Sequence, residues 1–492
     1  MSRRAAVLAV ALVLVLVVVG AGGYLLLRDD GATTAASAST STSTTEPSTT
    51  STTQLAGSAG APGVGDPYFP RLGNGGYDVD HYRLAITWLP DAGAIDAVTT
   101  IEATATQDLS RFNLDLVGLA VTSVTVDGEP SQVEHVDREL QVTPAAALPA
   151  GQRFTVVVTY GGTPQPIREG TDLFALGWHI DGREVFVASE PSGAATFYPV
   201  NDHPTDKATY TFEISAPSDQ VAVANGLLVD EQPGPPGMTT WTYEATDPMA
   251  SYVVQIAIGD YELIDEGTVD GVAIRHAFHR SVADAARTVT ASTSEMIDVL
   301  DDIYGPYPFE AYGVLAVDES LGFALETQTL TIIGTNIARS GRADDILVHE
   351  LAHQWVGNAV SPGTWQDIWL NEGFATYSEW LWGERTGGAP AADRARSLAG
   401  TRADLDTPPG DPGSNELFST TVYWRGGMAL QALREEIGDD DFFTVLRTWV
   451  ADHQDGSATT ADLLALAERV SNQELDDLFT RWLYEPRRPS FG

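Results

Sequence analysis

The chain has no cysteine and a single lysine, Lys207. Without cysteine there is no disulfide, no thiolate metal ligand, no cysteine nucleophile and no lipidated cysteine, so any chemistry must come from other groups. Bases are scarce altogether: 27 Lys and Arg stand against 68 Asp and Glu, a formal net charge of −41. A field that negative repels nucleic acid, argues against anionic substrates and draws in cations, amino-terminal ammonium groups among them. Neither a GxSxG elbow nor a GxxxxGK(S/T) loop occurs, which leaves serine-hydrolase and nucleoside-triphosphate readings without a foothold. The 492 residues are ample for two or three domains.

Arg3 and Arg4 precede an uninterrupted apolar run over residues 5–27. At helical rise that run spans roughly 35 Å, enough for a bilayer. The charge flanks predict a single-pass anchor with the rest of the chain exported to the outside of the cell membrane. A cleaved signal peptide, giving a secreted protein, is the alternative. Residues 1–28 therefore form an anchor or signal segment. Residues 29–65, rich in Ser and Thr, read as a disordered linker, because they offer too little apolar surface to offset ordering their backbone.

From residue 66 to 262 short β-branched and aromatic runs alternate with turns such as Asp127-Gly128, Gly161-Gly162 and Asn225-Gly226, predicting an antiparallel β sandwich or saddle. Residues 263–492 change character. A helix is expected over 281–302, strands over 312–317 and 322–333, and helices from Gly426 to the end. The fold class is multidomain α+β.

The stretch His349-Glu350-Leu351-Ala352-His353 lies in a helical pattern over 344–358. That period puts His349 and His353 one turn apart on one face, able to chelate one ion, with Glu350 about 100° round the helix, displaced from the ligand row but close enough to serve as a general base. Catalytic zinc takes three protein ligands and a water, and Glu372, in a second helical pattern and separated from His353 by 18 intervening residues, is the candidate third ligand. Glu379, seven residues further, falls on the same face and is placed to orient a histidine. The other seven histidines are read as structural or surface groups.

With LGFALETQT (Leu321 to Thr329) upstream and VYWRGGMAL (Val422 to Leu430) downstream, this spacing resembles the gluzincin metallopeptidases of the aminopeptidase N family, which carry an HExxH-x18-E zinc motif between a GxMEN-type strand and a VYxKG-type tyrosine motif. The segment Val187 to Phe212 is similar to another family stretch. The resemblance runs from about Tyr82 to Pro486. It implies a β domain followed by a thermolysin-like catalytic domain ending in helices, one zinc ion on His349, His353 and Glu372, and Glu350 as general base. It further implies Tyr423 as the donor to the oxyanion, and Glu326 and Glu190 as acids meeting the free amino terminus of a peptide. The chain departs from the family at Phe323, Thr327 and Ala188. Arg425 stands where lysine is usual, a change expected to matter little. Larger members continue into a helical superhelix; the chain ends at Gly492, so a short form with a more open cleft is expected.

The activity so implied is removal of single residues from peptide amino termini by a zinc-dependent aminopeptidase. A zinc endopeptidase, an epoxide hydrolase of the leukotriene type, and a catalytically silent, membrane-anchored peptide-binding module are the rival readings.

Overall fold

Strands in the first half follow alternation. In Tyr77–Leu89 the buried side chains are Tyr77 and Val79, then, past a bulge between Val79 and His81, Tyr82, Leu84, Ile86 and Trp88. The bulge shifts the inward phase by one residue and keeps both halves of the strand facing one core. This strand lies inside an eight-stranded sheet ordered Leu227–Pro233, Met238–Ala250, Lys207–Pro217, Tyr77–Leu89, Ala94–Ala105, Arg153–Gly162, Ala120–Val126, Glu129–Pro130. Only Lys207–Pro217 and Tyr77–Leu89 run parallel. Two four-stranded sheets, containing Leu109–Asp115 and Glu184–Ala188 respectively, complete the β-rich half that the sequence predicts.

The computed structural model describes residues 57–169, 174–341, 343–402 and 405–491. The expected anchor and most of the linker fall outside them, and among the described residues no helix is long and apolar enough to cross a membrane. Order begins sooner than composition suggests. Ser58–Ala59 pairs with Leu109 and Arg111, so residues 57–65 belong to the fold rather than to a linker. Asp66 accepts the Trp365 N–H at 2.8 Å and the Tyr68 hydroxyl donates to Asp411 at 2.6 Å, fastening the start of the β half to the helical half.

The second half opens with a six-stranded sheet that has Ala324–Leu325 at one edge and Tyr261–Val269 at the other. The single strand expected over 322–333 is a hairpin in which Ala324 faces Ile333. Thr329 adopts a left-handed φ of 63° and the Thr327 hydroxyl turns back to the Leu330 carbonyl, contacts that fold the run on itself. The strand expected over 312–317 is likewise two pieces, Ala311–Tyr312 and Val314–Ala316. The helix expected over 281–302 is two, Ala283–Val289 and Thr293–Tyr304. At their junction the Thr290 and Thr293 hydroxyls donate to the carbonyls of Ala286 and Thr290 at 3.0 and 2.7 Å, and Ser281 bonds Asp318 instead of capping.

The helix carrying the two histidines is Asp344–Ala352, shorter than the predicted 344–358. Beyond it the N–H groups of Asn358, Ala359 and Val360 donate five residues back, to His353, Gln354 and Trp355, at 2.9, 3.0 and 3.2 Å. This turn is wider than α. Gly357 permits it with φ 130°, and a Cβ there would meet His353 Nδ1 and Asn371 Nδ2 at 3.2 Å. Tyr423, expected ahead of a helix, sits inside one, Thr420–Ile437. That helix presses on Trp369–Arg385 so closely that a Cβ at Gly373 would lie 3.0 Å from Gly426 Cα, which seats Tyr423 beside Glu372.

Arg425 overturns the expectation of an inconsequential change. Its buried guanidinium donates to the carbonyls of Trp482, Leu405, Asp406, Thr407, Arg481 and Glu485 at 2.6 to 3.3 Å. Lysine, with three donors on one atom, cannot span two loops this way. Arg425→Met is expected to destabilise the fold by about 3 kcal/mol, because it strands buried carbonyls, with Arg425→Lys recovering only part. Urea denaturation of the three proteins checks this; equal midpoints for arginine and lysine would refute the staple.

Candidate active site

His349 and His353 stand one turn apart with ring centroids separated by 4.8 Å. Glu372, in the first turn of Trp369–Arg385, brings Oε2 to 3.2 Å from His349 Nε2 and 3.6 Å from His353 Nε2. One ligand atom from each of the three lies within 4.8 Å of the others, and all three residues are buried. The far nitrogens are held as well: His349 Nδ1 donates to Glu379 Oε1 at 2.8 Å and His353 Nδ1 to the Val356 carbonyl at 3.1 Å. With Nδ1 occupied, both Nε2 lone pairs are left for the centre of the triangle.

The electrostatics favour a cation there. Burial lowers both imidazoles' proton affinity, yet Glu372 and Glu379 hold His349 well above its usual range, and Glu326 and Glu372 raise His353. Burial also raises Glu372, but His353 and His349 hold it down to about 2. Two neutral-capable imidazoles and a carboxylate that stays ionised form a donor set that fits zinc.

Around this triangle lies a cleft of about 410 Å³. Every site residue the sequence singles out lines it: Glu190, Glu326, His349, Glu350, His353, Glu372 and Tyr423. Glu326 and Glu350 approach His353, with ligand atoms of the three within 4.8 Å of one another. Burial pushes Glu350 up to about 8 against the pull of His349 and His353. Tyr423 stacks on His349 at 5.7 Å, and burial, followed by Glu372, Glu190, Glu326 and Glu350, raises its hydroxyl well above the usual range, so it remains a proton donor. Glu190 and Glu326 are 3 % and 2 % exposed, and each keeps one carboxylate oxygen with no protein partner. Two buried carboxylate oxygens without a protein partner leave room for a hydrogen-bond donor. A larger hollow of about 600 Å³ lies on the face of the eight-stranded sheet, but its lining has no histidine and only two acids, Asp96 and Glu213, among small and hydroxyl side chains, so the metal-binding constellation belongs to the smaller cleft.

Sequence reasoning missed the supports. Phe174 stacks on Phe323 at 3.9 Å at the cleft edge, and Gln354 and Asn358 both hold the Glu326 carbonyl. No pattern of period or motif marks them; only Lys207, through its being the sole lysine, carried a signal.

Two histidines on one helix turn, closed by a glutamate from the next helix, define a metallohydrolase type of site. Residues 289–482 match the Peptidase family M1 domain and residues 78–253 the Peptidase M1 N-terminal domain. The M1 zinc metallopeptidase of Deinococcus radiodurans is 32 % identical, superposes with a TM-score of 0.81, and the match covers 87 % of this chain and 98 % of that one. A form of that enzyme has been solved bound to a Tyr-Ser-Ala substrate. Aminopeptidase N of Streptomyces lividans is 26 % identical over 83 % of this chain and 50 % of its own, and Aminopeptidase M1 of Arabidopsis thaliana 25 % identical over 61 % and 36 %. The chain belongs to peptidase family M1. It spans half or less of the length of these curated relatives.

Because Glu379 fixes the His349 ring, Glu379→Ala is expected to weaken zinc retention by 10- to 100-fold, roughly, without unfolding the protein. Competition with a chromophoric chelator measures this; unchanged affinity would show that His349 needs no such support.

Proposed function

We propose that the chain is a zinc-dependent aminopeptidase that hydrolyses the first peptide bond of peptides with a free amino terminus. What carries the reading is the pair of buried, partnerless carboxylate oxygens on Glu190 and Glu326, within the same cleft as the His349, His353 and Glu372 triangle. An ammonium group satisfies both acids and counts off one residue to the bond lying over the triangle. The Deinococcus radiodurans complex with Tyr-Ser-Ala supports a peptide as substrate.

His349, His353 and Glu372 would hold one zinc ion, which when bound would supply Lewis acidity to the site. Glu350, buried and with its proton affinity raised to about 8, takes a proton from that water and returns it to the departing amine. The Tyr423 hydroxyl donates to the carbonyl oxygen as negative charge grows on it. The edge strand Ala324–Leu325 has a free side on which an extended substrate backbone can pair. Residues 5–27 would tether the enzyme to the cell membrane with this cleft outside the cytoplasm.

A panel of fluorogenic aminoacyl amides, each with its N-acetylated counterpart and run with and without chelator, tests the reading. Chelator-sensitive turnover confined to free amino termini is expected, and turnover of the acetylated forms at equal rates would make the protein an endopeptidase. Glu350→Ala is expected to keep its metal and lose at least about 1,000-fold in kcat, by the scale of a general base that acts on the attacking water. Near-normal turnover in that variant would remove Glu350 as the base.

A further inference from the structure

The only lysine of the chain is part-buried rather than fully exposed, as lysines usually are. Lys207 opens the strand Lys207–Pro217 in the β half and reaches into the helical half, where Nζ donates to the carbonyls of Asn358 at 2.7 Å and Ala359 at 2.8 Å. Those carbonyls belong to the wide turn that follows His353. Within it the Asn358 N–H donates to the His353 carbonyl at 2.9 Å, and the Asn358 side chain donates through Nδ2 to the Glu326 carbonyl at 2.7 Å. Gln354 fills the other lone pair of the same carbonyl at 3.1 Å, and its Oε1 accepts the Thr329 N–H at 2.9 Å, so the hairpin turn carrying Glu326 is pinned at both ends.

We infer that Lys207 is a positioning residue for amino-terminal recognition: through Asn358 it sets the distance from Glu326 to His353, and so registers the substrate ammonium against the scissile bond. The inference rests on the aminopeptidase reading above. Three features separate this path from ordinary packing. It joins the two halves through hydrogen bonds to backbone carbonyls rather than apolar contact, it ends on the backbone of the residue proposed to meet the ammonium, and no second lysine can substitute. Burial lowers Lys207 to about 7, opposed by the nearby Asp455, whose own N–H also donates to Ala359 at 2.9 Å. Loss of the proton does not open the path, since a neutral amine keeps two N–H donors, one for each carbonyl.

Lys207→Met removes the donor, and Asn358→Leu removes the link to Glu326. In the zinc-loaded full chain, assayed on the best aminoacyl amide of an Ala, Leu and Arg set, each variant is expected to raise KM about tenfold while kcat stays within about threefold, and to narrow the preference for the free over the N-acetylated amide. Because both act on one path, the double variant is expected to be no worse than the poorer single one. Zinc content stays at the wild-type level. Multiplying effects in the double variant, a fall in kcat at constant KM, or loss of zinc would overturn the proposal. Should Lys207→Met fail to fold, Asn358→Leu, which removes the same link without adding a charge, gives the same reading by itself. Wild-type protein that ignores every aminoacyl amide sinks the aminopeptidase reading, whereas active wild type with unshifted variants sinks only the role of Lys207.

Discussion

Two imidazoles can aim at one point only if something holds their other nitrogens. Here a carboxylate does so for His349 and a backbone carbonyl for His353, at 2.8 and 3.1 Å. Each anchor comes from a different place: Glu379 from two turns along the Glu372 helix, and Val356 from the widened turn that the histidine helix enters. The triangle is therefore fixed by the packing of two helices and the shape of one turn rather than by the histidine helix alone. Removing the last α turn is part of the design. A continuous α-helix through 358 would point the Val356 carbonyl along the helix axis, away from the His353 ring, and leave His353 Nδ1 without that acceptor.

The same turn serves a second end. It carries Gln354 and Asn358, whose side chains reach the Glu326 backbone, and it receives Lys207 and Tyr252 from the β half, the latter donating to the Gly357 carbonyl at 3.1 Å. Asn371, one residue before Glu372, donates in turn to the Tyr252 hydroxyl at 3.2 Å. Amine recognition and metal chelation thus share one scaffold. Glu190 arrives from the β half and Glu326 from the hairpin beside the edge strand, so the proposed exopeptidase character depends on how the two halves meet, while the hydrolytic groups sit in the helical half.

Much of this was legible in the residues. The four-residue spacing of His349 and His353 needed no structure, because helical period alone puts such groups on one face, whereas Glu372, on a separate helix, was a candidate through the family resemblance. Strand alternation announced the β half, although the hairpin at Thr329 was invisible, since it depends on one residue's φ and on a hydroxyl contact that leave the hydrophobic pattern intact. Helix ends were misjudged for a related reason. Apolar spacing at Trp355 and Val356 continues past Ala352, but the backbone switches to five-residue closure under the pull of tertiary partners. Arg425 and Lys207 show the limit most plainly, since a basic residue in a sequence says nothing about which six carbonyls, or which two, it will hold together.

The central claim is a location, and anomalous diffraction at the zinc absorption edge from crystals of the zinc-loaded protein tests it directly. One strong peak is expected about 2.0 to 2.2 Å from His349 Nε2, His353 Nε2 and a Glu372 carboxylate oxygen. A peak centred instead among Glu326, Glu350 and His353, or none in the cleft at full zinc loading, would contradict the account.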